Sequence, residues 1–509
     1  MTGSGIDFYY LPVVAVGDLA TLPFGKLNPA LAHEAEVAPF TALDCFDQSL
    51  RRSGRLLLET DTTFELLSDD SLVVSQPVDG KVRFLTDFQN GPIKHALAGL
   101  SPLRSLLPVG SGQRHQATLA LVDDDGKTHC RAHLMQLTTQ KGHAAALVSL
   151  QGIKGYNESL NLLREHIRAL GGIALSCGAL YHQLFPAQSA YKARPEIFIA
   201  SDETAYDAAN RIISTYIPLM RANECGIIAD HDTEFLHDYR VQLRKIRSVL
   251  SLFEGVYDNA QTVDLKARFS TLAAPTDRLR DLDVYLLEKQ KYYDLLPESL
   301  HNGLNSLFSM FTRQRIAERT KLSRHLRSPA YKQKTADLAE RFAKPNGVKR
   351  GANAGLPAHE YACDRIWRRY RKVCKIAAGI GPDTNDAEIH ELRIHCKKLR
   401  YLMEFFGAVF PKTAFNRLLK SLKGLQNNLG LFNDYSVQQQ SLRAFLLKLG
   451  RKRGDANLEV AQCVGALIAV LHRRQLEERA KVMKNFAQFN RPKIQQTFHE
   501  LFQQRKDDT

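Results

Sequence analysis

Two stretches of this sequence carry side chains suited to holding an anion. The first is His237-Asp-Tyr-Arg240-Val-Gln-Leu-Arg244-Lys245-Ile-Arg247, and the second is His390-Glu-Leu-Arg393-Ile-His-Cys-Lys397-Lys398-Leu-Arg400. In each, a His is followed by an Arg three residues on, a basic pair seven and eight on, and an Arg ten on. On a helix turning about 100° per residue, positions three, seven and ten share the side of the His. The spacing therefore predicts a cationic stripe on each helix. Tyr239, Leu243, Ile246, Leu250 and Phe253 form the neighbouring apolar face of the first, and Leu392, Leu399, Leu402 and Phe406 that of the second. Such a helix buries one stripe and turns a row of cations outward. One basic row is ordinarily a solvated face. Two rows with the same order and offsets are better explained by a bound anion, which relieves the repulsion along each stripe.

The elements that position these stripes follow from periodicity and breaks. The chain has 509 residues, enough for two or three domains. Its 44% hydrophobic and 24% charged content is that of a globular protein. The net charge of +15 is unevenly placed. Residues 1–200 hold 17 basic and 19 acidic side chains, leaving 52 and 35 of the totals of 69 and 54 for residues 201–509. The polyanion signal thus belongs to the C-terminal part. None of the eight cysteines forms a C-x-x-C pair, and they read as reduced core thiols of a cytoplasmic protein. No signal peptide or membrane span is read.

Residues 1–155 read as strands, with candidates at Phe8–Val16, Arg55–Thr60, Ser71–Gln76, Val82–Leu85, Thr118–Val122, His129–Leu137 and Ala144–Leu150. Asp79-Gly80 and Asp125-Gly126 are hairpin signals. An antiparallel barrel or strongly curved sheet is expected, with Asn157–Leu184 helical. Ser189–Asp202 is a connector. The remainder is helical in period: Thr204–Ala222, Thr233–Phe253, Val263–Leu282, Tyr285–Leu296, Pro297–Ser323, Ser328–Ala343, Ala358–Ala378, Asp386–Phe410, Phe415–Asn433, Tyr435–Lys452 and Asn457–Phe489, with a short closing segment. Thr233, with Asp232 beside it, is the expected cap of the first motif helix. A Gly/Pro-rich break at 345–357 separates two halves, about 201–344 and 358–509. Leu279-Arg-Asp281-Leu-Asp283-Val284 and Leu429-Gly-Leu-Phe-Asn433-Asp434-Tyr match between the halves, Asp281 and Asp434 each lying 44 positions after their motif His. This repeat predicts two helical bundles facing each other about a pseudo-two-fold. The matched acids read as partners that orient basic side chains or cap helices.

Thr41-Ala-Leu-Asp44-Cys-Phe-Asp47-Gln-Ser-Leu50-Arg-Arg-Ser-Gly54-Arg-Leu56 resembles the D-T-x-D-x-x-L-x-x-x-G-x-x-L segment of CYTH (triphosphate tunnel) domains. Pro102–Val109 and Leu150–Tyr156 also resemble divergent members. Catalytic members begin with a strand bearing E-x-E-x-K, whose carboxylates hold metal and whose Lys holds phosphate. This chain has Phe8-Tyr-Tyr-Leu-Pro-Val there; Glu34 and Glu36 are an E-x-E pair, but Ala38 stands where the Lys would be needed and the pair sits too near Asp44 for that strand. The resemblance implies a degenerate CYTH-like domain, residues 1–190, without triphosphatase chemistry. Across residues 201–509, "HDYRVQLRKIRSVLSLF" and "HELRIHCKKLRYLMEFF" resemble the CHAD family pattern H-x-x-R-[VI]-x-x-[RK]-[RK]-x-R. That resemblance implies an all-α domain that binds inorganic polyphosphate through a basic surface.

The expected ligands to polyphosphate are His237, Arg240, Arg244, Lys245, Arg247, His390, Arg393, Lys397, Lys398 and Arg400. Arg365, Arg368, Arg369 and Lys372, on the helix before the second motif, extend the groove. Arg gives planar forks to phosphate oxygens and Lys gives point charge. Metal binding is not expected, because His390 and His395 are five residues apart and do not share a helix face. No cofactor or catalytic residue is assigned. The expected protein is a non-enzymatic polyphosphate binder at polyphosphate granules, with a homo-oligomer left open. The alternatives are a phosphohydrolase acting through the β domain and a nucleic-acid binder, the latter disfavoured by a single Trp for stacking.

Overall fold

The computed structural model describes residues 7–11, 24–34, 37–69, 73–186, 191–200, 202–381, 383–449 and 455–503. The chain divides into two compact units, Met1–Ala193 and Arg194–Thr509.

Among the described residues, the first unit is one curled antiparallel sheet of ten strands: β1 (Asp7–Leu11), β2 (Asn28–Glu34), β3 (Ala38–Cys45), β4 (Arg55–Glu59), β5 (Thr63–Ser68), β6 (Val73–Pro77), β7 (Leu106–Val122), β8 (Thr128–Thr139), β9 (Ala144–Gly152) and β10 (Ile173–Ala174). The strand order is β10-β1-β9-β8-β7-β3-β4-β5-β6. The long β7 pairs β8 along one side, and β3 and then β2 along the other. The Asp125-Gly126 signal closes the β7–β8 hairpin, with Gly126 at φ 75° and Asp123 Oδ1 accepting from the main-chain N–H of Asp125 and Lys127.

Alternation sends side chains to both faces, and both are covered. Tyr10, Phe40, Ala42, Leu56, Leu58, Leu137 and Leu147 meet a helix, Cys177–Leu184, through Leu180, Tyr181 and Leu184. Leu119, Leu121, Ala132, Val148 and Leu150 meet the helix Asn157–Ala169 through Leu163 and Ile167. Leu43, Leu57 and Leu66 meet Leu85, Phe88, Ile93 and Leu97. In chain order the helices of this unit are α1 (Ser49–Arg52), α2 (Pro92–Ala96), α3 (Asn157–Ala169) and α4 (Cys177–Leu184).

Several expectations are corrected here. β2, β3, β5 and the first half of β7 were not anticipated. Val82–Leu85 is not a strand; only Phe84 bridges, to Ser105. Gly80 turns at φ 72°, but no hairpin forms, since β6 pairs β5 alone. Asn157–Leu184 is two helices parted by β10. Residues 12–16 of the first expected strand, 71–72 of the third, Glu36, 189–190 and 201 of the connector, and 450–452 of the helix expected at Tyr435–Lys452 lie outside the described residues.

The second unit is helical: α5 (Ala205–Arg221), α6 (Glu224–Ala229), α7 (Thr233–Leu252), α8 (Asn259–Ala273), α9 (Asp277–Leu287), α10 (Lys289–Leu295), α11 (His301–Arg327), α12 (Pro329–Ala343), α13 (Ala358–Ala378), α14 (Asp386–Phe406), α15 (Lys412–Leu449), α16 (Asp455–Phe489) and α17 (Pro492–Phe502). The expected break at 434 is absent, because α15 runs unbroken for 38 residues. The expected helix Val263–Leu282 is instead α8, a short 3₁₀ turn at Ala274–Thr276 and the start of α9. Asp232, not Thr233, caps α7, accepting from the N–H of Glu234 and Phe235. One core joins α9, α11, α15 and α16 through Leu282, Tyr285, Phe308, Phe311, Leu442, Val464 and Leu467. Cys225 is exposed and Cys374 half-buried, while the other six cysteines are buried.

Candidate functional site

The two motifs lie on α7 and α14. Their apolar faces are buried as spaced: Tyr239, Leu243, Ile246 and Leu250 on α7, and Leu392, Leu399, Leu402 and Phe406 on α14. At the C-terminal ends, Phe253 and Phe406, both sixteen residues after their motif His, stack with ring centres 4.9 Å apart. This contact draws the two helices together and leaves a groove of about 320 Å³ beside it.

The groove is lined by Arg244, Arg247, Ser248, Ser251 and Leu252 from α7, and by Arg393, Ile394, Lys397, Lys398 and Tyr401 from α14. Arg244 and Arg247 are exposed, and Arg393, Lys397 and Lys398 are half-buried. Among the described residues no ion pair within 4 Å joins these five cations to a carboxylate. Their mutual repulsion is visible at Lys397. Burial, and then the charges of Arg244, Arg393 and Arg400, push its pKa down to about 8, with Asp434 opposing. Burial and Arg369 likewise lower Lys398, against Glu254. A site that disfavours its own ammonium groups is one that an anion would relieve.

The other expected ligands are placed differently. Lys245 does not line the groove: its Nζ lies 4.6 Å from the Tyr216 ring centre and donates to the Tyr216 hydroxyl at 3.1 Å. Arg240 donates to Thr276 and pairs with Asp277 at 2.6 Å. His237 meets Arg280 at 2.9 Å through Nδ1. His390 is exposed, outside the groove lining. Arg400 sits 3.4 Å from Glu404. On α13, Arg365 pairs with Glu254 at 2.6 Å and Arg368 with Asp364 at 2.6 Å. Arg369 contacts His395 at 2.9 Å, and Lys372 lies 3.6 Å from Glu391. The α13 cations are thus engaged by the chain's own side chains and do not line the groove.

Arg280, inside the Leu279–Val284 segment, is a further cation that the sequence pattern does not single out, and it stands against His237. Burial lowers its pKa, with Arg240 and Arg244 adding to the effect, and its Nη1 is buried without a hydrogen-bond partner. Of the matched acids, Asp281 is raised by burial while Arg240, Arg278 and Arg280 pull it down. Its neighbour Asp283, 1% exposed, is the one that orients a cation, accepting from Arg315 Nε at 2.7 Å. Arg315 also forks onto both oxygens of Asp230, at 3.0 and 2.7 Å. Among the described residues there is no group of three or more His, Cys, Asp or Glu placed to hold a metal, and no helix long and apolar enough to cross a membrane.

Two basic motif helices sharing a groove, with residues 211–443 matching the family model for the CHAD domain, decide the family of this region. Residues 211–443 form a CHAD domain. The crystal structure of the CHAD domain from the plant Ricinus communis is similar, at 24% identity and a TM-score of 0.48, covering 59% of this chain and 97% of that one. PptA from Streptomyces chartreusis is similar at 14% identity and a TM-score of 0.41, covering 54% of this chain and 98% of that one. No curated protein matches the chain. The curled sheet ahead of the CHAD domain is compatible with a CYTH-like fold.

Proposed function

We propose that this protein binds inorganic polyphosphate, without turning it over, in the groove between α7 and α14. The observation that carries this reading is the set of five cations, Arg244, Arg247, Arg393, Lys397 and Lys398, opening on one groove with no carboxylate paired to them among the described residues. Polyphosphate offers about one negative charge per internal phosphate and no base to read, so charge and fork geometry are the recognition available. The CHAD resemblance implies the same ligand. The β unit is read as non-catalytic: the first strand, Asp7–Leu11, carries no E-x-E-x-K, Glu34 ends β2 while Ala38 begins β3, and α4 fills one face of the sheet with Leu180, Tyr181 and Leu184. Recruitment to polyphosphate granules belongs to this proposal.

The test is competition of long polyphosphate against DNA and RNA at physiological salt. Polyphosphate wins, and the slope of log K against log salt is about −3 to −4 for five contacts, by analogy with single strands. Preference for nucleic acid overturns the reading. Phosphate release with Mg²⁺ or Mn²⁺ from the full chain would instead favour a phosphohydrolase.

A further inference from the structure

Just past the end of α7, Glu254 precedes Gly255, which turns the chain at φ 75°. The Glu254 carboxylate reaches across to α13, with Oε2 2.6 Å from Arg365 Nη1 and Oε1 3.9 Å from Arg369 Nη2. The exposures are unequal: the Glu254 side chain is 57% exposed, while Arg365 and Arg369 are 15% and 18% exposed. The two guanidiniums are also held without that carboxylate. Arg365 Nη2 reaches the main-chain carbonyl of Glu254 at 3.4 Å, its Nε lies 3.7 Å from Asp364, and its guanidinium sits 5.3 Å from the Tyr361 ring centre. Arg369 Nη1 contacts His395 Nδ1 at 2.9 Å.

The chain itself joins this cluster to the groove: Arg369 contacts His395, three residues before the groove residue Lys398 on α14 and so on the same helix face, and Glu254 follows the groove residue Leu252 by two. Carboxylate and phosphate present similar oxygens to a guanidinium fork. A half-exposed ion pair is weakly held and exchanges readily for a stronger anion.

We propose that Glu254 is an internal stand-in for phosphate, occupying an anion subsite of Arg365 and Arg369 that continues the groove past Lys398. This rests on the polyphosphate reading above. A linear polyphosphate long enough to pass Lys398 displaces the carboxylate, whereas a short one confined to the groove leaves it in place. Glu254 therefore sets a chain-length preference.

The experiment titrates wild type, Glu254→Gln and Glu340→Gln with tripolyphosphate and with long-chain polyphosphate of defined length. Glu340, 61% exposed and paired with Lys344, is a control that removes the same charge elsewhere. Expected is a several-fold tightening of long-chain binding in Glu254→Gln alone, with no matching gain for tripolyphosphate. Adding Arg369→Gln removes the gain, and Arg369→Lys, which keeps the charge, retains part of it. The inference is overturned if Glu254→Gln gains no more than Glu340→Gln, gains equally on both ligands, or keeps its gain with Arg369→Gln. Failure of wild type to bind either ligand is a distinct result, and overturns the polyphosphate reading itself.

Discussion

Arg244 and Lys397 occupy the same place in the two motif copies, seven residues after His237 and His390, and both line one groove. The charge of Arg244 is among those that hold the Lys397 ammonium down. The sequence repeat therefore meets in space at these two side chains.

Reversing both charges is the most direct trial of the groove. Arg244→Glu with Lys397→Glu is expected to weaken polyphosphate binding by roughly a hundredfold or more. Helix content by circular dichroism should stay at the wild-type level, since Arg244 is exposed and Lys397 only half-buried. Unaltered affinity would remove the groove from consideration.

Proton linkage offers a test that leaves the charge pattern intact. The Lys397 pKa, pushed down to about 8 by burial and then its cationic neighbours, rises when an anion binds. Binding at about pH 8 to 9 should then take up a proton, seen as a dependence of calorimetric enthalpy on buffer ionisation, and affinity should fall as pH climbs through that range. Lys397→Gln should lose the uptake. For stability the sign is opposite: the unfolded chain holds this proton to higher pH, so the cost of the folded ammonium is present below pH 8 and is relieved as pH rises above it.

Arg315 is a structural cation, and its removal should read differently. It forks onto Asp230 and also serves Asp283, a carboxylate 1% exposed. Arg315→Met leaves that buried acid uncompensated and should cost about 3 kcal/mol of CHAD-domain stability in denaturant unfolding. A loss well under 1 kcal/mol would mean that Asp283 is satisfied elsewhere.

Asp44 in the β unit is buried, yet it accepts main-chain N–H groups from Cys45, Leu50 and Arg51 at 2.7, 3.0 and 3.1 Å. Asp44→Ala orphans these donors and should cost about 1 to 3 kcal/mol. Burial raises its pKa to about 6, although those N–H groups oppose the shift. Its contribution is therefore largest at low pH and declines between about pH 4 and 6, a decline that Asp44→Asn should abolish in pH-dependent melting.

Helix spacing alone made α7 and α14, their buried faces and the shared basic rows legible. The bounds of α13 were also readable, because Pro357 and Gly379 flank an amphipathic run. Strands were harder to read. Ala38–Cys45 is buried on both faces over much of its length, so it has little polar alternation. The first half of β7 mixes Gly110 and Gly112 with Gln113, Arg114 and His115. The Asn433-Asp434 pair resembles a helix stop, yet Asn433 is buried inside α15. Lys245 and Lys398 hold the same motif position, but Tyr216, a partner remote in sequence, keeps the first outside the groove. Periodicity reports which face a residue is on, and cannot report which distant side chain stands opposite.

The uneven burial of the thiols has a practical outcome. Cys225 alone is open to solvent, while burial pushes the Cys45 thiol up to about 12 and the Cys363 and Cys463 thiols up to about 11. A maleimide dye should therefore load first at one address on α6. That would put a single fluorophore on an unmutated chain.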